Sequence, residues 1–398
     1  MSTLKVGGIR GTSASVDAIT VNATDGSATG KFTNVPGKNL IINGQMQIAQ
    51  RGTSSTTSSD YVADRWMVQW AAVDEAQAMT LTDVVADTPA WNAGFRKAAK
   101  IKNGNQTSGA QAASTTLITC ALEGQNIAQS GWDYTSASSY VTLSFWVKSS
   151  VAQDFPFYIR TRNGSNKRMY SMMTGSLTAD TWTKVTKVIP GDTSADFQID
   201  NTNQRAIDLL IAPYYGTDGT ASGSTLNAWK AFSSSSRWED ITTTWFTTDN
   251  STFELTGVKL EVGSVATDFE HISYGAELDR CERFYQVIAT DIYDPLCHGA
   301  AFAGDMVQGC VHFHKPFRAE PSMVKAGGTD WLIFRYSKYG SDANATCDGD
   351  DFNLQQVSET MANIRFTGFN FGDNNTMGAG GLLYTQNASA SLAFSADL

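Results

Sequence analysis

Residues 140–150 read YVTLSFWVKSS, and their alternation decides the fold class. Val141, Leu143, Phe145 and Val147 fall on one face of a period-two strand. The flanking segments FPFYIRTR (155–162) and WTKVTKVIP (182–190) behave alike. Between the strands lie turn-forming clusters: RNGSN (162–166), PGDTS (190–194) and YYGTDGTASGS (214–224). Many short strands at this spacing predict a two-sheet jelly-roll β-sandwich over residues 38–275. The insertion NAWKAFSSSSRWED (227–240) resists assignment to either period.

Upstream, residues 1–37 differ from the rest. LKVGGIRGT, DAITVNAT and GKFTNV read as short strands among Gly, Ser, Thr and Asp. Their few apolar residues, such as Ile9, Ile19, Val21 and Phe32, are too few for a core of their own. Such a segment must pack on a partner or wind with copies of itself, and Pro36-Gly37 marks its end. Downstream, AELDRCERFYQVIAT (276–290) changes period: Leu278, Cys281, Tyr285 and Ile288 predict a short linking helix. Residues 291–398 return to alternation in MVQGCVHFHKPF, WLIFRYSKY, ANIRFTGFNFG and SASLAFSADL, a C-terminal smaller β-sandwich. The fold class is therefore all-β: an N-terminal β anchor segment, a jelly roll, a short helix and a β tip.

The bulk numbers bound the function. A chain of 398 residues exceeds one ordinary domain of about 100–200 residues. Charged residues make up 17%, against a typical ~25%, so the surface relies on uncharged polar groups. A net charge of −10 repels phosphate backbones, which argues against nucleic acid as a partner. The five cysteines are odd in number and form no CxxC, so a disulfide framework and a zinc ribbon are both disfavoured. MSTLKVGGIRG lacks a signal-peptide core, and no apolar run is long enough to insert in a membrane. The expectation is synthesis in a reducing cytoplasm and, if the protein acts outside a cell, release by lysis.

Three stretches carry a resemblance: NLIINGQMQIAQRG with YVADRW (39–52 and 61–66), VTLSFWVKSS (141–150) and LTGVKLEVGSVATDFEHISYGAELDRCERFYQ (255–286). In this order the chain resembles phage tail fibre and virion structural proteins with a carbohydrate-binding-type jelly roll. In that family an asparagine-rich opening strand leads to an arginine-glycine turn and an ADRW segment. The domain closes on LE-x-G-x-x-AT-x-FE and a Glu-Leu-x-x-Cys helix. The likeness covers residues 39–290 well and 1–20 loosely, where MSTLKV is similar to fibres of marine bacteriophages. It implies a homotrimer attached to tail or capsid proteins by residues 1–37, with host surface polysaccharide as the target and the virion as its location. Capsid decoration as a head fibre, and a polysaccharide-cleaving tailspike, are the alternatives.

The matched residues have structural readings first. Arg65 needs a carboxylate, which Asp64 or Glu261 can supply, and Trp66 reads as core. Gly263 offers a positive φ and Phe269 an anchor. Jelly rolls of this type often carry a structural Ca2+, and Asp348-Gly349-Asp350-Asp351 is the densest carboxylate cluster, although it lacks EF-hand spacing. His312 and His314 share one strand face and are the transition-metal candidates in a trimer. In WLIFRYSKY, alternation separates Trp331, Ile333 and Arg335 from Leu332, Phe334 and Tyr336. Rings stack on sugar faces and Asn or Asp side chains bind hydroxyls. On that chemistry Trp331, Tyr336, Tyr339, Asp342 and Asn344 are the glycan-binding candidates, with Tyr336 and Tyr339 expected to be exposed. No GxSxG, HExxH, P-loop or GxGxxG motif is present, and no catalytic residue or enzyme activity is assigned.

Overall fold

The alternating segments pair as β-strands in the computed structural model, which describes residues 7–10, 19–21, 28–30, 39–326, 332–338, 341–347, 352–371 and 377–398. Two antiparallel sheets form the sandwich. One has six strands, in the order Thr183–Pro190, Tyr140–Ser149, Thr252–Val262, Lys97–Lys102, Ala78–Asp83 and Ser54–Ser55. The other has seven: Trp229–Ala231, Arg168–Met173, Pro156–Thr161, Arg205–Tyr215, Thr115–Glu123, Trp66–Ala71 and Asp60–Ala63. Val141, Leu143, Phe145 and Val147 point between the sheets and meet Phe155, Phe157, Ile159, Leu209 and Ile211 from the other side. Each such side chain contributes about 1.5–3 kcal/mol by leaving water. The insertion that resisted assignment supplies the edge strand Trp229–Ala231 and the fully buried Trp238, which covers the outer face of the seven-stranded sheet with Tyr158 and Met169.

The opening stretch 39–50 contains no strand; it is held by Asn43 instead. Asn43 is buried at φ 55° and donates to the carbonyls of Ile48 and Asp64 while accepting from Gln47 and Ile48. The predicted helix over 276–290 is shorter and starts earlier, at Tyr274–Cys281. Ser273 caps it, accepting from the Ala276 amide. Of the predicted stripe Cys281 is buried in the helix, while Leu278 is only partly buried and Glu277 takes the other buried position. Residues Tyr285–Ala289 form a strand because Tyr285, Gln286, Val287 and Ala289 pair with Ser391–Ser395, a distant pairing, with a bulge at Ile288, that overrides the local period.

Beyond it, Tyr285–Ala289, Ser391–Ser395 and Ser322–Ala326 form a three-stranded sheet. It faces a seven-stranded sheet of Ser341–Cys347, Leu332–Lys338, Gly380–Thr385, Pro295–Ala303, Met306–His312, Met361–Phe366 and Phe352–Val357. Leu332, Phe334, Ile364, Phe366, Leu383 and Phe394 fill the space between them. In the N-terminal segment the described strands are Gly8–Ile9, Ile19–Val21 and Ala28–Gly30, a small antiparallel sheet.

Candidate functional site

The strand Tyr140–Ser149 buries one face in the core and turns Ser144, Trp146 and Lys148 to the outer face of the six-stranded sheet. Trp146 pairs with Lys184 on one neighbour and Thr256 on the other. Between Ser144 and Trp146 the register slips, because Thr252–Val262 carries a bulge at Gly257 (φ 62°). A Cβ there would collide with the Phe95 ring, so the glycine lets that ring approach the sheet.

Two loops wall this face. The short helix Pro89–Asn92 brings Asn92 and, past its end, Phe95. The loop after Val262 brings Thr267, Asp268, Phe269 and His271. Lys259, fully buried, pins that loop: its Nζ lies 3.1 Å from Glu261 and 2.8 Å from Glu270, and donates to Thr267 Oγ1 (2.6 Å) and the Asp268 carbonyl (2.8 Å). Glu261 in turn accepts from the Thr267 amide and hydroxyl. Gly263 has φ 123° at the turn, and Phe269 packs edge-on against Phe95 at 5.0 Å, so both take their expected places. His271 stacks near both rings at 5.1 Å and donates from Nε2 to the Ala93 carbonyl, tying one wall to the other.

The result is a cavity of about 390 Å3. Half-buried Trp146 and Phe269 supply apolar faces; exposed Asn92, Lys184, Asp268 and His271 supply donors and acceptors around them. An indole ringed by amide, carboxylate and ammonium groups suits a flat ligand rich in hydroxyls. A second cavity of the same volume lies beside the helix Tyr274–Cys281, but no aromatic ring lines it and its carboxylate, Glu123, is occupied by Arg283 and Arg318.

The residues singled out in the sequence fall elsewhere. Tyr336 is not exposed: it is 5% accessible and stacks on Phe334 at 5.4 Å, because the Leu332, Phe334, Tyr336 face of its strand is the core face. Asn344 is exposed, across from Arg335 on the neighbouring strand, and Asp342 lies on the same strand as Asn344. Trp331, Tyr339 and the Asp348–Asp351 cluster lie outside the described residues. His312 and His314 are both exposed but do not share a strand face, since the strand ends at His312 and the chain turns to give the His314 amide to Gln286. Among the described residues no group of three or more His, Cys, Asp or Glu side chains is placed to hold a metal ion.

Arg65 finds neither expected partner. Asp64 accepts from the Gln50 amide and side chain, Glu261 serves the Lys259 pin, and Arg65 pairs with Asp397 at 2.9 Å. Trp66 is core, donating to the Asn43 carbonyl. The groove residues Trp146, Asn92, Asp268 and His271 were missed. The one signal was that the alternation in 140–150 leaves a tryptophan on the face away from the core.

No protein-family model matches the chain, and no curated protein matches it. Among solved structures it is similar to the enzymatically active domain of tailspike protein 4 of bacteriophage CBA120 (9% identity, 57% of this chain, TM-score 0.30). The chain spans 22% of the length of that protein. It is also similar to the CBM22-1–GH10 modules of Clostridium thermocellum xylanase 10B (9% identity, 56% of this chain and 30% of that one, TM-score 0.25). A third likeness is to the CBM22-1–CBM22-2 tandem domain of Paenibacillus barcinonensis Xyn10C (8% identity, 92% and 100% covered, TM-score 0.26). At these scores the likenesses say nothing of what this chain binds.

Proposed function

We propose that this chain is a non-catalytic glycan-binding adhesin, serving as a trimeric fibre of a phage particle with residues 1–37 as its attachment segment. The observation that carries the binding half is Trp146, half-buried on the outer sheet face among Asn92, Asp268, Lys184 and His271 in a cavity of about 390 Å3. The fibre half rests on the sequence resemblance across 39–66, 141–150 and 255–286. The absence of hydrolysis is supported by the lining, in which Asp268 is the one carboxylate. Glycoside cleavage by acid and nucleophile or base needs two, about 5–9.5 Å apart.

A glycan array of bacterial surface polysaccharides tests the reading. The intact protein retains a subset of glycans, and Trp146→Ala weakens that retention at least about tenfold, as loss of a stacking ring and its hydrogen-bonded neighbours predicts. Its far-UV circular dichroism stays unchanged, since Trp146 is half-buried at the margin of the small cluster around Phe95 and Trp182 and takes no part in the core between the two sheets. New reducing ends released from a bound polysaccharide would replace the adhesin with a tailspike hydrolase.

A further inference from the structure

The outer face of the seven-stranded sandwich sheet carries a charge arrangement that the groove does not use. Asp208, 1% exposed on the strand Arg205–Tyr215, receives three guanidinium groups. Arg160 reaches it with Nη2 at 2.5 Å from the adjacent strand, Arg162 with Nε at 3.5 Å, and Arg205 with Nε from three residues away. One carboxylate serves three guanidinium groups, and Arg205 also reaches the Leu398 oxygen at 3.5 Å, so Arg160 and Arg162 share Asp208 between them as an excess of positive charge in a chain whose net charge is −10. Asp397, which follows the strand Ser391–Ser395, is already held by Arg51 and Arg65.

The three cations sit unequally. Arg160 lies against the Phe232 ring at 4.5 Å, and its buried Nε has no acceptor. Arg162 and Arg205 are 34% and 24% exposed and turn outward. Burial pulls Arg162 below its ordinary pKa; Asp208 opposes that, while Arg160 and Arg205 add to it by repulsion. Crowded like charges around a satisfied carboxylate are relieved by a further anion, and guanidinium forks match a planar or tetrahedral oxyanion.

We propose that Arg160, Arg162 and Arg205 form a second binding site, for the carboxylate or sulfate group of an acidic saccharide. The oxyanion rests on the arginines alone; the saccharide rests on the glycan-binding reading above.

Affinity electrophoresis of the full chain through gels containing polygalacturonate, dextran sulfate or neutral dextran tests it. The expected result is retardation by an acidic polymer and not by dextran, reduced about tenfold in Arg162→Gln and only partly restored in Arg162→Lys, whose ammonium lacks the fork. Arg162 makes the longest and most exposed of the three contacts, so its replacement leaves the Arg160–Asp208 and Arg205–Asp208 pairs to hold the fold. Trp146→Ala keeps the retardation. If neutral glycan binding fails on the array while this retardation persists, the groove reading falls and the arginine site stands. Absence of retardation, or retardation untouched by Arg162→Gln, overturns the site. Thermal stabilisation by inorganic sulfate without retardation by either acidic polymer marks a free-ion site and overturns the saccharide assignment.

Discussion

Arg65 shows how much of a residue's role is hidden from the sequence around it. Its φ of 74° is unusual for a side-chain-bearing residue, and it lies flat on the Phe284 ring with Cζ 3.6 Å from the centroid. A buried arginine needs a carboxylate, and that requirement was legible. Which carboxylate was not: Asp397 lies 332 residues away and was reached only through folding of the C-terminal sheet. Asp397 also pairs with Arg51, whose guanidinium covers the Tyr285 ring at 3.7 Å. Burial meanwhile raises the Asp64 carboxyl above its ordinary value, with Gln50 and Arg51 opposing that rise, so Asp64 is a poor substitute for Asp397. Asp397→Ala leaves two arginines short of their carboxylate at a mostly buried junction. The expected loss is about 3 kcal/mol, read as a shift of the urea unfolding midpoint of the intact chain. An unchanged midpoint would show that water, not Asp397, satisfies these arginines.

At the scale of elements, strands that repeat with period two were legible because one face of each is buried. The helix was half legible for the opposite reason: its capping serine and first turn are local, whereas its end is set by the distant strand Ser391–Ser395. The bulge in Thr252–Val262 is the element that the site depends on. It sets two residues, Gly257 and Val258, against Phe145, and so shifts the alternation of this strand, keeping Phe253 and Leu255 before the bulge and Val258 and Leu260 after it all in the core, while Gly257 leaves room beside Trp146 for the Phe95 ring. Nothing in LTGVKL announces this, since a glycine in a strand reads equally as a weak point. Gly257→Ala combines a positive φ with a clash against Phe95. It should lower stability by roughly 1–3 kcal/mol and weaken glycan retention along with it. A thermal melt and the glycan array read the two effects. Full stability with full retention would mean that the bulge does not shape the groove.

For the whole molecule, the question is what covers the surfaces that one chain leaves open. The described N-terminal strands are two or three residues long, with Ile9 55% exposed, and sheets this small are marginal alone in water. At the other end, the outer face of the C-terminal seven-stranded sheet exposes Phe302 (54%) and Met361 (41%), with Cys310 beside Met361 and Arg365 over the Phe302 ring. These two regions lie in different parts of the chain, and closed symmetric association would shelter both. The expectation of a trimer comes from the sequence resemblance, and the apolar patches give it a physical motive. Sedimentation velocity at micromolar concentration should therefore return three times the chain mass of 42.9 kDa. Phe302→Asp places a charge in the patch and should shift the distribution toward single chains without altering the glycan profile of the groove, which lies on the other sandwich. A wild-type protein that sediments as a single chain would remove the trimer, and with it the reason for reading residues 1–37 as a segment ordered by its own copies.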